Sequence, residues 1–243
     1  MRALSAPELL DVWELGLSST PIQRVVTLLA AVCREPPDAI AQLSVGQRDT
    51  RLLLLRERLF GSQVVCVATC PACGERLELN FSTADVRQGA DTGSEDALSV
   101  SVDGYELRFR LPNSLDQIAI ADCPDANAAR QRLLERCLAA AELRGETVAA
   151  GELPTDVVDA VAQRMAQADP QGDLQLALAC PRCSHRWQAG FDVSAFLWSE
   201  ITAWAHRILG DVQSLAAAYG WREADILTMS AWRRQFYLNG IGR

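Results

Sequence analysis

Apolar side chains recur every three or four residues through the first sixty positions and then shift to alternation. In residues 8–34 (ELLDVWELGLSSTPIQRVVTLLAAVCR) they stand at 9, 10, 12 and 13, and, after a Ser-Ser-Thr-Pro break, at 22, 25, 26, 28, 29 and 32. The break reads as a helix start, with Pro21 at the first helical position, where its missing N–H is no loss, and Ser19 or Thr20 as cap. Pro36-Pro37 is expected to end that helix. Ser44 should open another over about 46–60, with Leu52 to Leu55 and Leu59 as its buried side.

From residue 63 the pattern is that of strands. Gln63 to Ala68 is short and β-branched, and Arg76 to Phe81 (RLELNF) alternates, with CPACG between them. Residues 82–97 are polar, acidic and glycine-containing, which predicts a loop or flexible linker. SVSV-DG-YELRFR then forms two alternating runs joined by Asp-Gly, a strong hairpin signal, closed by Pro112. Helices are expected over 125–143 and 154–168, the latter with Pro154 at its start, and residues 168–172 end this segment. The chain returns through LQLALA to CPRCSHRWQAGF and a further strand. Beyond it Phe196, Leu197, Ile201, Trp204, Ile208, Val212, Leu215 and Tyr219 step along one long helix that Gly220 should end. Two short helices, 222–228 and 231–239, the second capped by Ser230, finish the chain.

These elements predict an α+β fold, mainly helical, with a split four-cysteine zinc ribbon carrying a hairpin-plus-helices insert. The expected organisation is a helical unit over 1–60, a ribbon over 61–198 with halves at about 61–82 and 174–195 and the insert at about 98–170, and a C-terminal helical tail over 199–243.

The candidate chemistry lies in Cys70, Cys73, Cys180 and Cys183. Each Cys-Pro-x-Cys turn is preceded by a short apolar run and followed by a strand, so the two have the same setting. A structural zinc site needs four ligands at tetrahedral corners, and two such turns supply two correctly spaced sulfurs each. Compact ribbons keep their halves roughly 15–20 residues apart, far less than here. Closing so long a loop adds only on the order of 2 kcal/mol, because the entropy grows logarithmically with length. Two separate dithiol elements, or no metal, are the other readings. A redox pair, however, belongs at a helix N-terminus, and both turns lead into strands. His185 is near enough to replace a ligand, but with four cysteines at hand it is expected at the surface or backing them. Cys33 and Cys137, among helical apolar residues, read as buried small hydrophobes.

Composition narrows the function. The chain has 243 residues, 49% of them apolar, and its formal charge is -8. Residues 1–60 carry seven Arg against seven acids and residues 199–243 five against four, so the middle holds the negative excess. An acidic middle repels phosphate backbones. All 23 basic residues are Arg, which excludes a phosphate-loop or Schiff-base lysine. No nucleophile elbow, zinc-protease helix or dinucleotide turn is present, and four thiolates would close a zinc to substrate, so no enzyme is expected. The longest apolar run, Val25 to Cys33, is nine residues, against the roughly 20 that span a bilayer. With Asp11 and Glu14 interrupting any signal-peptide core, a cytoplasmic protein with no membrane partner and no small-molecule substrate is expected.

Ten of fifteen aromatic residues fall after position 180, and five of six tryptophans between 187 and 232. Trp187, Phe191, Phe196 and Trp204 read as core. In the tail, Trp221, Trp232, Phe236 and Tyr237 alternate with Arg222, Arg233 and Arg234, a mixture enriched at protein interfaces, and these seven residues are the candidate partner-binding set. The run AFLWSEITAWAHRILGDVQSLAAAYGWREADILTMSAWRRQFYLNGI resembles the T-even-phage-type baseplate hub assembly chaperone family, found with myophage tails and phage-like contractile injection systems. The likeness is carried by the long helix, the Tyr219-Gly220-Trp221 turn and the closing Arg233-to-Leu238 helix. It is strongest over about 170–243 and fair around the first Cys pair. The resemblance implies a non-enzymatic protein that helps build, or joins, the baseplate of a contractile tail, with hub, spike or wedge proteins as partners. A zinc-ribbon nucleic-acid-binding or transcription-associated module is the competing reading, on the small basic cluster RCSHRW at 182–187.

Overall fold

The computed structural model describes residues 1–87 and 97–241. The chain opens with α1 (Ala6–Leu17), α2 (Pro21–Cys33), α3 (Pro37–Gln42) and α4 (Val45–Phe60). Thr20, rather than Ser19, caps α2: its hydroxyl accepts from the Gln23 backbone N–H while the Gln23 side chain accepts from Thr20 N–H. The Pro36-Pro37 pair both follows the end of α2 and starts α3, because Pro36 is extended at the cap and Pro37 sits at the first helical position. Ser44 caps α4 as expected, and Leu52, Leu53 and Leu55 are buried, with Leu54 and Leu59 half-buried.

Strands β1 (Gln63–Thr69) and β2 (Arg76–Ser82) form the first hairpin and lead into a single helical turn, α5 (Thr83–Val86). Ser82 and Asp85 cap that turn reciprocally; the rest of the expected linker, 88–96, lies outside the described residues. Then come β3 (Leu98–Val102), β4 (Tyr105–Phe109), α6 (Ser114–Ile120), α7 (Ala126–Cys137), β5 (Leu138–Leu143) and β6 (Glu146–Thr147), with α8 (Thr155–Ala168) after a short 3-10 turn. Asp103 and Gly104 both take positive φ, 51° and 85°, as the tight β3–β4 hairpin requires. Pro154 precedes α8 as its cap.

The expected helix over 125–143 is corrected at its second half. LAAAEL has good helix propensity, yet it runs as β5 beside β4, with Ala141 opposite Leu107 and both buried. An unpaired edge of β4 outweighs the few tenths of a kcal/mol per residue that propensity supplies. The result is an antiparallel sheet in the order β3-β4-β5-β6. Leu98, Leu107, Phe109 and Ala141 from this sheet pack with Leu134 of α7 and with Val157 and Val161 of α8 into one core cluster.

The chain closes with β7 (Gln175–Ala179), β8 (Arg186–Gly190), α9 (Val193–Tyr219), α10 (Glu223–Thr228) and α11 (Ala231–Leu238). At 27 residues α9 is about 40 Å long. Among the described residues no helix is long and apolar enough to cross a membrane.

Contacts divide the chain into two compact units, residues 36–193 and residues 1–35 with 194–243. In the second, α1 packs on α2 and α10, and its Gly16 abuts Trp198 of α9, whose ring lies where a side chain at 16 would project. Arg24 lies over the same Trp198 ring at 5.1 Å and donates to Gly16 O at 2.8 Å. Trp13 donates its indole N–H to Thr202 Oγ1 and meets His206 edge-on at 5.6 Å. Leu197, Ile201, Ala205, Ile208, Val212 and Leu215 form the buried stripe of α9 at the expected spacing.

Candidate metal centre

The four cysteines of the two turns come together. Their sulfurs all lie within 4.8 Å of one another, with Cys70 Sγ 3.7 Å from Cys183 Sγ and Cys73 Sγ 3.6 Å from Cys180 Sγ. Four sulfurs placed about 2.3 Å from a common centre at tetrahedral corners stand about 3.8 Å apart. A disulfide would need about 2.05 Å. The donor set therefore fits one tetrahedrally held, thiophilic metal ion, and all four ligand positions would be filled by protein.

The local backbone explains how the sequence makes this cluster. In the first turn Cys70 N–H donates to Glu75 O at 2.8 Å and Gly74 N–H to Cys70 O at 2.9 Å; in the second Cys180 N–H donates to His185 O and Ser184 N–H to Cys180 O, both at 2.9 Å. Each turn bends through a left-handed residue, Gly74 at φ 74° and Ser184 at φ 58°. Serine pays about 1–2 kcal/mol for that conformation where glycine does not. The correspondence extends along the strands. Val64 faces Phe81 in the β1–β2 register, and at a constant offset of 110 residues Leu174 leads into a β7–β8 pairing of the same phase, Gln175 opposite Gly190. Phe81 and Phe191, equivalent by that offset, meet edge-on at 5.5 Å. Leu77 and its counterpart Trp187 pack against the sulfur cluster, and Leu79 joins them. The two halves thus form one pseudo-symmetric ribbon about the cysteines.

Crowding sets the protonation chemistry. On Cys180 burial acts upward, but the backbone N–H groups of Cys183 and Arg182, with the Cys73 and Cys183 thiols, outweigh it and hold the thiol at about 7. On Cys73 the Glu75 backbone N–H acts downward, yet desolvation and the three neighbouring thiols push it up to about 12. Four sulfurs this close resist carrying four negative charges unaided. With a divalent cation held at their centre, that balance would be reversed and the four sulfurs would bind it as thiolates.

Nearby groups take lesser parts. His185 is exposed and stacks on Trp187 at 5.9 Å, so its ring is a surface group while its carbonyl supports the turn. Arg182 pairs with Glu75 at 3.3 Å across the ribbon, so one charge of the RCSHRW cluster is already met. Cys137 is buried, and desolvation raises its thiol to about 11, which makes it inert at neutral pH.

The tail sorts its seven candidate residues into three sets. Trp232 is 76% and Phe236 61% exposed, and Arg222 and Arg233 are exposed as well. Trp221 and Tyr237 are half-buried in a ring cluster: Tyr219 stacks on Trp221 at 4.6 Å, and Trp221 meets Tyr237 edge-on at 4.8 Å. Arg234 is a correction to the expected surface set. It is 9% exposed, donates to Met229 O at 2.6 Å and lies 3.8 Å from Asp211, so it anchors α11 internally.

The sequence reading missed one charged centre altogether. Asp116, buried on α6, accepts from Arg110 at 2.5 and 2.9 Å, from Arg136 at 2.8 Å and from Asn113 N–H at 3.0 Å. Burial pushes its carboxyl upward, but the two guanidiniums and the Asn113 backbone N–H prevail and hold it below the ordinary carboxylate value. The legible signal was Asn113-x-x-Asp116, a reciprocal cap immediately after Pro112.

Comparison with known families matches residues 15–198 to the family described as T4 bacteriophage base plate protein. The matched span contains both cysteine turns and leaves the tail beyond 198 outside, whereas the resemblance read from sequence was strongest over 170–243. No curated protein and no solved structure matches the chain. With three quarters of its length in the match, the chain belongs to the T4 bacteriophage base plate protein family.

Proposed function

We propose that this base plate family member is a non-enzymatic assembly factor or structural component of the baseplate in a contractile phage tail or phage-like injection system, held in shape by one structural zinc. The observation that carries the reading is the family match over residues 15–198, which takes in the whole ribbon. Zinc is the proposed ion because four thiolates in tetrahedral reach of one another are its usual structural set, and a site closed by four protein ligands leaves no position for a substrate. The metal's contribution is mechanical: it fastens segments more than a hundred residues apart and fixes the strands that flank them.

Partners in this reading are other baseplate proteins of the hub, spike or wedge, met in the cytoplasm where tails are built. The competing nucleic-acid reading is weakened by the Arg182–Glu75 pair and by the net charge of -8. The test is a tagged purification from the native cell beside purified tail particles. Hub, spike or wedge proteins in the eluate are expected, and presence of the chain in the finished particle separates a permanent component from a departing chaperone. Recovery of polymerase or nucleic acid without any tail protein refutes the reading.

A further inference from the structure

α11 has one face fixed and one face open. Ser230 caps it, Arg234 ties it to Met229 O and Asp211, and Tyr237 packs into the Tyr219–Trp221 rings. On the other side Trp232 and Phe236, one helical turn apart, stack on each other at 5.8 Å with an interplanar angle of 22°. Two large rings held against each other in solvent leave roughly 300 Å² of aromatic surface exposed, from side chains that bury 150–250 Å² each when covered. Beside them, Arg233 is exposed and makes no ion pair among the described residues. An unpaired guanidinium flanking open rings runs against the charge of the chain as a whole, which is -8.

Area and charge together say what fits. A stable protein dimer buries about 800 Å² on each partner, so this patch is too small to be the whole of a homodimer contact. It has the size and make-up of a hot spot, where Trp and Arg carry most of the energy. We propose that the Trp232–Arg233–Phe236 face docks a short acidic, apolar segment of another baseplate protein, the rings covering its apolar side chains and Arg233 meeting a carboxylate. This inference rests on the baseplate reading above and names the chemistry of the partner.

The experiment places a photoreactive benzoylphenylalanine at position 232 of the full-length, metal-loaded chain, produced together with the complete particle, and maps the crosslinked peptide by mass spectrometry. The expected product is a segment of another baseplate protein with carboxylates within one or two helical turns of the attachment point. In the same background Arg233→Glu should lower the crosslink yield about tenfold or more, since like charges at a contact cost several kcal/mol. Melting curves verify that neither change unfolds the chain, and a second photoreactive residue at 236 replaces the first if that one does. Crosslinks to another copy, to nucleic acid or to a basic or neutral segment, no crosslink at either position, or indifference to Arg233→Glu, each overturns the proposal. Co-purification of the unlabelled chain with baseplate proteins is scored separately. If that persists while the crosslink fails, the docking face is wrong and the baseplate role stands; if that too is lost, the role itself is wrong.

Discussion

Replacing Cys180 with Ser takes one of four donors from a cluster that links positions 107 residues apart. A cross-link closing a loop of that length removes about 5 kcal/mol of chain entropy from the unfolded state at 25 °C. Besides the sulfurs, the halves are joined by Leu77, Leu79 and Trp187 around them, by the Phe81–Phe191 edge contact and by the exposed Arg182–Glu75 pair. Residues 36–193 form the compact unit concerned, and for a unit of that size 5 kcal/mol corresponds to about 15 °C in Tm. Differential scanning calorimetry of wild type, Cys180→Ser and chelator-treated wild type, with metal content measured on each, is the assay. We expect one zinc per wild-type chain, a loss of about 15 °C in the variant and a similar loss on chelation that added zinc reverses. Metal binding should also weaken as pH falls, because each ligand must shed a proton. A wild type that melts at the same temperature with and without chelator, matched by a Cys180→Ser variant within about 3 °C, would refute the shared centre.

Further expectations can be checked by urea or thermal unfolding. Ser184→Gly should stabilise the ribbon by about 0.5–1 kcal/mol by relieving the left-handed serine at φ 58°, while Gly74→Ala should cost about 1 kcal/mol at φ 74°. Gly16→Ala, which at an open helix site would gain up to about 1 kcal/mol, should instead lose about 1–2 kcal/mol, since its methyl would stand 2.1 Å from the Trp198 ring. Asp116→Ala should cost about 3 kcal/mol, the low end for a broken buried pair, because Arg110 and Arg136 keep roughly a third of their side chains in water. The Asp116 carboxyl is depressed in the folded state, so its contribution is present above the ordinary carboxylate pKa of about 4 and disappears as pH falls through the folded value; the gap between wild type and Asp116→Asn should accordingly be widest near neutrality and close in acid.

Much of this molecule could be read from residue order because the deciding forces are local. Apolar spacing placed α2, α4 and α9, the Asp103-Gly104 turn placed the β3–β4 hairpin, and the matching surroundings of the Cys-Pro-x-Cys turns identified the four metal-ligand candidates. What tertiary structure decided depended on partners that the residue pattern of each segment does not name. LAAAEL became β5 because β4 offered it an edge, Arg234 turned inward because Asp211 and Met229 O lay within reach, and Asp116 could be buried because Arg110 and Arg136 converge on it. The union of residues 1–35 with 194–243 is likewise invisible in either segment alone: it rests on contacts such as Trp13 with Thr202 and Gly16 with Trp198, whose energies appear only once the two stretches are packed together.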